Sequence, residues 1–119
     1  MILGLGTDII EIDRIALAIK RKGSSFLDRI FTKLEQEYCL KHSLSARNFA
    51  GRFAAKEAIA KAIGKGIGST LNWLDIEILN DPTGKPEVRL YLPEYERTEI
   101  LVSISHCKTF ATATAIWIK

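Results

Sequence analysis

The charged residues best placed for chemistry lie on one otherwise apolar segment, residues 49–64. Its only charged residues are Arg52, Lys56, Glu57 and Lys61. At a helical spacing, Glu57 and Lys61 lie on the same side, with Gly64 just below them. A surface helix would carry polar residues over about half of its circumference, so this helix is predicted to be enclosed by protein. Each of its charges must then have a partner or a ligand.

An enclosed carboxylate beside an ammonium is typical of a functional site, although the same pair on an exposed helix adds only about 0.2–0.5 kcal/mol of helix stability. Two further segments carry groups suited to chemistry: Gly6-Thr7-Asp8 and the residues that end at His106. Each has an ordinary alternative, since Asp8 could cap a turn and His106 could be a hydrogen-bonded surface residue. The glycine-rich loop at residues 64–68 lacks the Gly-Lys-Ser/Thr ending of a P-loop. The segments are therefore informative only in combination.

Helices are predicted to come before most of the strands. A helix is expected over residues 14–22, with Asp13 as its cap. Thr32 and Glu35 have the spacing of a capping box, which predicts a helix that runs to about Leu40. A polar break then separates this helix from the long apolar one.

The remaining segments alternate between apolar and polar residues, which predicts β-strands. The first strand covers residues 2–12, and its glycines Gly4 and Gly6 lie on the same face as Asp8. Glycine at such positions indicates a close approach by another backbone or by a ligand. Four later strands are predicted at residues 73–79, 87–92, 100–106 and 110–118. This order indicates an α+β fold, in which an N-terminal strand and helices precede an antiparallel β meander packed on the long helix.

The composition is that of one globular domain spanning residues 1–119, large enough to bury about two-thirds of its unfolded surface. Apolar residues make up 47% and charged residues 26%. Cys39 and Cys107 lack metal-ligand spacing and are predicted to be reduced thiols of a cytoplasmic protein. The N terminus lacks the pattern of a signal peptide, and no stretch is apolar enough to span a membrane. The net charge of +3 favours acidic partners.

The three segments, taken in this order, resemble the signature of the phosphopantetheinyl transferases. The matching residues are Gly6 and Asp8, then Arg14, then Phe53-Ala54-Ala55-Lys56-Glu57-Ala58 with Lys61, and finally Ser103-Ile104-Ser105-His106. The resemblance extends from residue 1 to the end of the chain, and the short length is similar to that of the small bacterial branch of the family. It implies a fold of the phosphopantetheinyl transferase type. One departure is Thr83, where family members commonly have asparagine before the Gly-Lys-Pro run.

The resemblance implies transfer of 4′-phosphopantetheine from coenzyme A to a serine of an acyl carrier protein in fatty acid biosynthesis, with adenosine 3′,5′-bisphosphate as the other product. Asp8 and Glu57 match the family's ligands for Mg²⁺, which commonly takes one or two carboxylates. Lys61 matches its lysine beside the pyrophosphate, where a cation offsets charge that develops in the transition state. Asp8, Glu57 and Lys61 are thus the expected catalytic residues. Either Glu57 or a metal-held water would accept the serine proton.

The same resemblance implies which residues hold coenzyme A. Arg52 and His106 are the candidates for its phosphate groups, through charge-assisted hydrogen bonds. The Gly-Lys-Pro run is expected near the adenine, and the role of Thr83 beside it is open. The residues expected to contact the donor are Arg52, Lys61, Gly64, Gly84, Lys85, Pro86 and His106.

The resemblance also implies two protein partners. An acidic acyl carrier protein would dock on the stripe formed by Arg14, Ala18 and Arg21, although a solvated helix face is the ordinary alternative. Family members are typically homotrimers whose active sites are shared between neighbours. The sparsely charged last strand, residues 110–118, fits a buried subunit contact.

Two other classes of protein compete with this interpretation. A nucleic-acid-binding module is suggested by the pI near 9.0 and by the basic residues 20–22. It gives no reason for Asp8 and Glu57 to converge, and no aromatic residues alternate with the basic ones to stack bases. A structural, oligomer-forming domain explains the apolar strands but leaves the charges of the enclosed helix without a purpose. The sequence therefore favours a transferase without nucleic-acid or membrane partners.

Overall fold

The long apolar segment forms a 19-residue helix, α4, at the centre of a computed structural model that describes residues 1–119. The other elements, in chain order, are β1 (Ile2–Glu11), α1 (Ile12–Lys22), α2 (Ser24–Ile30), α3 (Lys33–Leu40), α4 (Ser45–Ile63), β2 (Ile76–Asn80), β3 (Pro86–Leu90), β4 (Glu99–His106) and β5 (Phe110–Ile118). Short 3₁₀ turns lie at Trp73–Asp75 and Pro93–Tyr95.

Helix α4 is enclosed as its apolar sequence predicts. Eleven of its 19 residues are buried, and it packs on the sheet that contains β1 and β5. Gly64 ends the helix with a φ of 83°, a left-handed conformation that glycine adopts without strain. None of the helices combines the length and the apolar character needed to cross a membrane.

The strands form two antiparallel sheets. One sheet has the order β1-β5-β4, and the other is the hairpin of β2 and β3. The α+β class is confirmed, and each predicted segment contains a strand, but residues 73–75 of the segment predicted at 73–79 form a 3₁₀ turn instead. The single predicted meander is divided into two sheets. Alternation identifies which segments are strands without fixing which neighbours they pair with.

The glycines of β1 allow this strand to lie unusually close to α4. A Cβ atom at Gly4 would lie 1.8 Å from the carbonyl oxygen of Ala62, and one at Gly6 would lie 2.0 Å from that of Ala58. Any side chain at these positions would push the helix away from the sheet. The predicted close approach is therefore confirmed, and it brings the inner face of β1 against the charged turn of α4.

Two local predictions on the helices have different outcomes. The capping box of α3 is confirmed: Thr32 Oγ1 accepts a hydrogen bond from the Glu35 backbone N–H at 3.3 Å, and the Thr32 N–H donates to Glu35 Oε1 at 2.8 Å. The predicted cap of α1 is wrong. This helix begins at Ile12 directly after β1, so Asp13 lies inside its first turn and makes no capping hydrogen bond.

Candidate active site

Asp8 faces α4 because it lies on the same face of β1 as Gly6, the residue that touches the helix backbone. Lys61, in the last turn of α4, donates hydrogen bonds to Asp8 Oδ1 at 3.0 Å and to the Thr7 carbonyl oxygen at 2.9 Å. The structure thus brings together two of the three predicted catalytic residues in a direct ion pair.

Glu57 is the third member of this group. Its side chain is half-buried, and burial raises its pKa above the ordinary value. The negative charge of Asp8 raises the pKa further, whereas the positive charge of Lys61 opposes the shift. Asp8 and Glu57 also line the same cavity, where a bound cation would offset the repulsion between their negative charges.

The donor set of this site fits a hard divalent cation. No group of three His, Cys, Asp or Glu side chains converges anywhere in the molecule, which excludes a closed zinc-type site built by one protomer. Mg²⁺ is commonly held by one or two carboxylates, with phosphate oxygens and waters completing its octahedron. Asp8 and Glu57 are a suitable pair for such an ion.

A cavity of about 420 Å³, called here the site cavity, joins the two carboxylates to the basic face of α1. Its lining includes Asp8, Glu57, Arg14 and Ala18, so the predicted docking stripe lies next to the predicted metal ligands. Arg21, the last member of the predicted stripe, does not line the cavity. The other lining residues are Ile9, Ile10, Ile15, Phe26, Arg29, Ile30, Phe53 and Trp73.

Arg29 is a polar wall residue of the site cavity that the sequence did not single out. It belongs to α2, a seven-residue helix with no side-chain cap at its start. The apolar residues Phe26 and Ile30 are four apart and both buried, which is the signal from which this helix could have been found.

A second hollow, of about 350 Å³, lies on the other side of Glu57. Its walls include Lys61, Gly64 and Lys65. Gly64 is therefore close to the carboxylate and ammonium groups, as its position one turn after Lys61 predicts. Lys65 adds a cation that the sequence prediction did not include, and its ammonium lies 3.3 Å from Glu94 Oε2.

The remaining predicted donor-binding residues lie in separate depressions of the protomer. His106 lines a hollow of about 580 Å³ together with Arg47 and Lys108. Lys85 and Pro86 line a groove of about 480 Å³ between β3 and β4, and neither depression includes Asp8 or Glu57 in its walls. A single protomer therefore does not gather all the predicted residues in one cavity.

Arg52, another predicted phosphate-binding residue, contacts other parts of the protein. Its side chain is only 4% exposed, and its guanidinium donates to the Ile78 carbonyl oxygen at 3.2 Å and to Asn80 Oδ1. The same group lies over the ring of Tyr38, 4.3 Å from its centroid. These hydrogen bonds tie Arg52 to β2, and its assignment to a phosphate group of the donor stays a prediction.

The turn after β2 is held by its own hydrogen bonds. Asn80 Nδ2 donates to the Gly84 carbonyl oxygen at 2.8 Å. Asp81 Oδ1 accepts from both the backbone N–H and the hydroxyl of Thr83, and also from the Lys85 N–H at 3.0 Å. The hydroxyl of Thr83 is the main cause of the lowered pKa of Asp81. Thr83 therefore shapes the turn that carries the Gly-Lys-Pro run.

Lys56 is the most deeply enclosed cation of the protein. Its ammonium donates to Glu35 Oε1 at 2.7 Å, to the Ile30 carbonyl oxygen at 2.7 Å and to the Trp73 carbonyl oxygen at 3.0 Å. Burial lowers the pKa of Lys56, while Glu35 acts in the opposite direction. Three acceptors around one nitrogen require all three protons of an ammonium, so the group is charged.

The four charged residues of α4 thus divide into two pairs. Arg52 and Lys56 are buried and have protein partners, whereas Glu57 and Lys61 face the two hollows at the site. The enclosure of this helix predicts that each of its charges has a partner or a ligand. Arg52 and Lys56 have protein partners, whereas Glu57 and Lys61 are placed to contact a ligand.

An antiparallel sheet packed on a helix, with two carboxylates and a lysine where they meet, is an arrangement suited to the transfer of a phosphate-linked group. The family model of the 4′-phosphopantetheinyl transferase superfamily matches residues 4–115. The chain therefore belongs to this superfamily, in its holo-[acyl-carrier-protein] synthase branch.

Its relatives are similar over nearly their whole length. The holo-[acyl-carrier-protein] synthase of Protochlamydia amoebophila is 52% identical over 120 residues, which cover 98% of each chain. That of Chlamydia pneumoniae is 52% identical over 118 residues, covering 97% of this chain and 96% of the relative.

Solved structures of the same branch confirm the fold. The Bacillus anthracis enzyme in complex with CoA (3′,5′-ADP) has a TM-score of 0.87 at 40% identity and covers 100% of this chain and 98% of its own. The Helicobacter pylori enzyme in complex with coenzyme A has a TM-score of 0.87 at 35% identity, covering 95% and 98%.

Proposed function

We propose that this protein transfers 4′-phosphopantetheine from coenzyme A to a serine of an apo-acyl carrier protein. The serine oxygen forms a new bond to the phosphorus that bears the pantetheine arm. The bond from that phosphorus to the bridging oxygen breaks, and adenosine 3′,5′-bisphosphate leaves with the bridging oxygen. The observation that carries the proposal is the meeting of Asp8, Glu57 and Lys61 where β1 lies against α4.

Asp8 and Glu57 are the residues that would hold Mg²⁺. When bound, the ion would offset the negative charge of the pyrophosphate oxygens. Asp8 is only 17% exposed at its side chain, so its carboxylate is held in place by the surrounding structure. Glu57, or a water that the ion would hold when bound, is the candidate acceptor for the serine proton.

Lys61 supplies the fixed cation beside the pyrophosphate. Its ammonium is held by Asp8 and by the Thr7 carbonyl oxygen, yet its side chain remains 54% exposed. A partly exposed ammonium can also contact an incoming phosphate. It would favour the transition state, in which charge builds on the leaving oxygen.

The acyl carrier protein would dock on α1. Arg14 and Ala18 line the site cavity, and Arg21 continues the same helix face towards solvent. Arg29 extends the basic surface from the next helix. This arrangement places an acidic partner next to Asp8 and Glu57, where the transferred group must arrive.

The donor would be held at a boundary between subunits of a homotrimer. His106 and the Gly-Lys-Pro run lie apart from Asp8 in one protomer, so a neighbour would have to bring them together. The outer face of the three-stranded sheet supports such a contact. Leu5, Ile116 and Leu101 lie side by side across it, and Leu5 is 67% exposed.

The holo-carrier formed by this reaction carries acyl chains as thioesters, so we place the reaction in fatty acid biosynthesis in the cytoplasm. Both cysteines are free thiols, Cys39 buried and Cys107 exposed, which suits a reducing compartment.

The proposal is tested by incubating the protein with apo-acyl carrier protein, coenzyme A and Mg²⁺ and measuring the intact mass of the carrier. We expect the phosphopantetheine mass on one serine, and we expect it to disappear when a chelator removes the metal. Glu57→Gln and Lys61→Ala should each lower kcat by about a hundredfold or more, the usual cost of a lost transition-state contact.

Lys41→Ala is the matched control, because Lys41 is an exposed lysine outside the site. It should retain the parental rate. An unmodified carrier with the parental protein would refute the proposed reaction. Parental rates with folded Glu57→Gln and Lys61→Ala would refute the site.

A further inference from the structure

We propose that Lys56 is a positioning residue for the transfer reaction, acting through the walls of the site cavity; this inference rests on the proposed function. Lys56 directly precedes Glu57 in α4, but its side chain is fully buried and cannot touch either substrate. Its role must therefore be exerted through the groups it holds.

Two of these groups belong to the walls of the site cavity. Ile30 is the last residue of α2, and its carbonyl is one of those left without a helical partner at a helix end. Trp73 begins the 3₁₀ turn before β2. The side chains of both residues line the site cavity, and the Lys56 ammonium holds both of their backbones.

The third group, Glu35, ties the same ammonium to the rest of the fold. Its carboxylate also accepts hydrogen bonds from the Thr32 N–H at 2.8 Å and from the Ile78 N–H at 2.9 Å. One buried ion pair thus connects α2, α3, α4 and the start of the second sheet. It fixes the distance between the wall residues and the helix that carries Glu57.

Stability alone does not account for such a pair. Desolvation of two buried charges commonly cancels their attraction, and a well-packed apolar pair often stabilises a protein as much or more. An apolar pair cannot make the three hydrogen bonds that Lys56 makes. Two of them go to the backbones of the cavity residues Ile30 and Trp73, and the third goes to Glu35. The geometry therefore indicates positioning as its role.

The expected effect is specific to the acceptor. Ile30 and Trp73 share their cavity with Arg14 and Ala18, the docking residues, whereas the predicted donor-binding residues line other depressions. Displaced walls should therefore weaken use of the carrier protein and leave the KM for coenzyme A nearly unchanged.

The test compares Lys56→Met, the double variant K56M/E35Q and the control Glu77→Gln. Met keeps the approximate length of lysine, and Gln at position 35 preserves the capping-box pattern. The double variant removes the charges of both members of the ion pair together, so activity can still be measured if Lys56→Met alone fails to fold. Glu77 is buried in the same region but accepts from Thr32 and Tyr91, and neither of those residues lines the cavity.

We expect the folded Lys56 variants to lose at least about tenfold in kcat/KM for the carrier, which is the effect of a modest misplacement of reacting groups. Their KM for coenzyme A should stay within about twofold, and Glu77→Gln should retain both constants at similar stability loss. Equal carrier constants in K56M/E35Q and Glu77→Gln would overturn the positioning role. An inactive parental protein would instead refute the proposed function itself.

Discussion

At the scale of single residues, the site contains a charge whose position lowers the stability of the folded state. Glu57 is half-buried near Asp8, and both circumstances raise its pKa. A carboxylate whose pKa is raised by folding destabilises the folded state once it is ionised. This loss of stability is consistent with a role in binding a cation, because two nearby carboxylates that repel each other both attract a metal ion.

This cost predicts how stability depends on pH. In the absence of metal, the penalty from Glu57 is absent below the ordinary glutamate pKa, appears as pH rises towards the higher folded pKa, and is complete above it. Glu57→Gln removes the ionisation, so at neutral pH this variant should have a higher Tm than the parent while losing transfer activity. The two proteins should have similar Tm values near pH 4.

Thermal unfolding in the presence of a chelator, followed by circular dichroism from about pH 4 to pH 8, measures the difference where Glu57 titrates. Asp75→Asn is a suitable control, because Asp75 lies outside the site and its carboxylate serves the turn before β2. A lower Tm for Glu57→Gln at neutral pH would contradict the assigned repulsion.

At the scale of elements, α1 presents its basic face to one side of the site cavity. Arg14 and Arg21 are exposed and lie on one stripe of this helix. Lys20 is also exposed but lies on a different side at 100° per residue. Lys20 is therefore a control residue: it is a cation of the same helix, but it lies on a different side from the proposed docking residues.

Charge reversal on the two faces should give different results. Arg14→Glu with Arg21→Glu should raise the KM for the acidic carrier by about tenfold or more, since like charges would meet across the interface. The KM for coenzyme A should change little. Lys20→Glu changes the charge in the same sense and should leave both constants nearly unchanged.

Steady-state rates at varied carrier and varied coenzyme A separate these effects, and added salt should reduce the difference between variants. Equal increases of both KM values in the double variant would argue against docking on this face. So would an equal effect of Lys20→Glu on the carrier.

The elements also show what the sequence could and could not predict. The capping box of α3, the enclosure of α4 and the close approach at Gly6 were predictable because each leaves a pattern in the adjacent sequence: the capping spacing, an apolar helix surface and a glycine within a strand. The contacts of Arg52 were not predictable, because its acceptors on Ile78 and Asn80 lie 26 and 28 residues further along the chain. Sequence identifies a charge that needs a partner, whereas only the tertiary structure identifies the partner.

The same limit applies to the division of the strands into two sheets. The alternation in β2 and β4 predicts that both are strands, but pairing depends on the packing of the complete chain. Helix α2 was missed because its seven residues offer only one apolar pair at helical spacing, Phe26 and Ile30, which is a weak pattern. The pairing of Asp8 with Glu57 as proposed metal ligands rests on the family resemblance, because the spacing alone does not connect these residues.

At the scale of the whole molecule, the predicted site residues of one protomer lie in separate cavities. Asp8 and Glu57 line one cavity, while His106 lines another. The uncharged outer row of Leu5, Ile116 and Leu101 offers a surface on which a second copy can pack. Both features agree with active sites that form between subunits.

If subunits pack through this outer row, a charge introduced there should disrupt the oligomer. Leu5→Glu places a charge in the outer row and should shift the protein from the proposed trimer to a monomer in sedimentation equilibrium, because a buried unpaired charge is strongly unfavourable. Leu34→Glu is the matched control, since Leu34 is 50% exposed on α3, outside the sheet. A trimeric Leu5→Glu protein would exclude this face as the contact.

If each active site contains residues of two subunits, two inactive variants should restore activity when they are mixed. Asp8→Asn and His106→Ala each remove one half of the site, so each homotrimer should be inactive. When the two variants are mixed during refolding, random assembly of closed oligomers gives about one quarter of interfaces with both native residues. The mixture should therefore recover up to about one quarter of the parental rate, whereas sites confined to single protomers would recover none. Because the gain requires one intact residue from each neighbour, it distinguishes completion of the site across subunits from a trimer that only stabilises the fold.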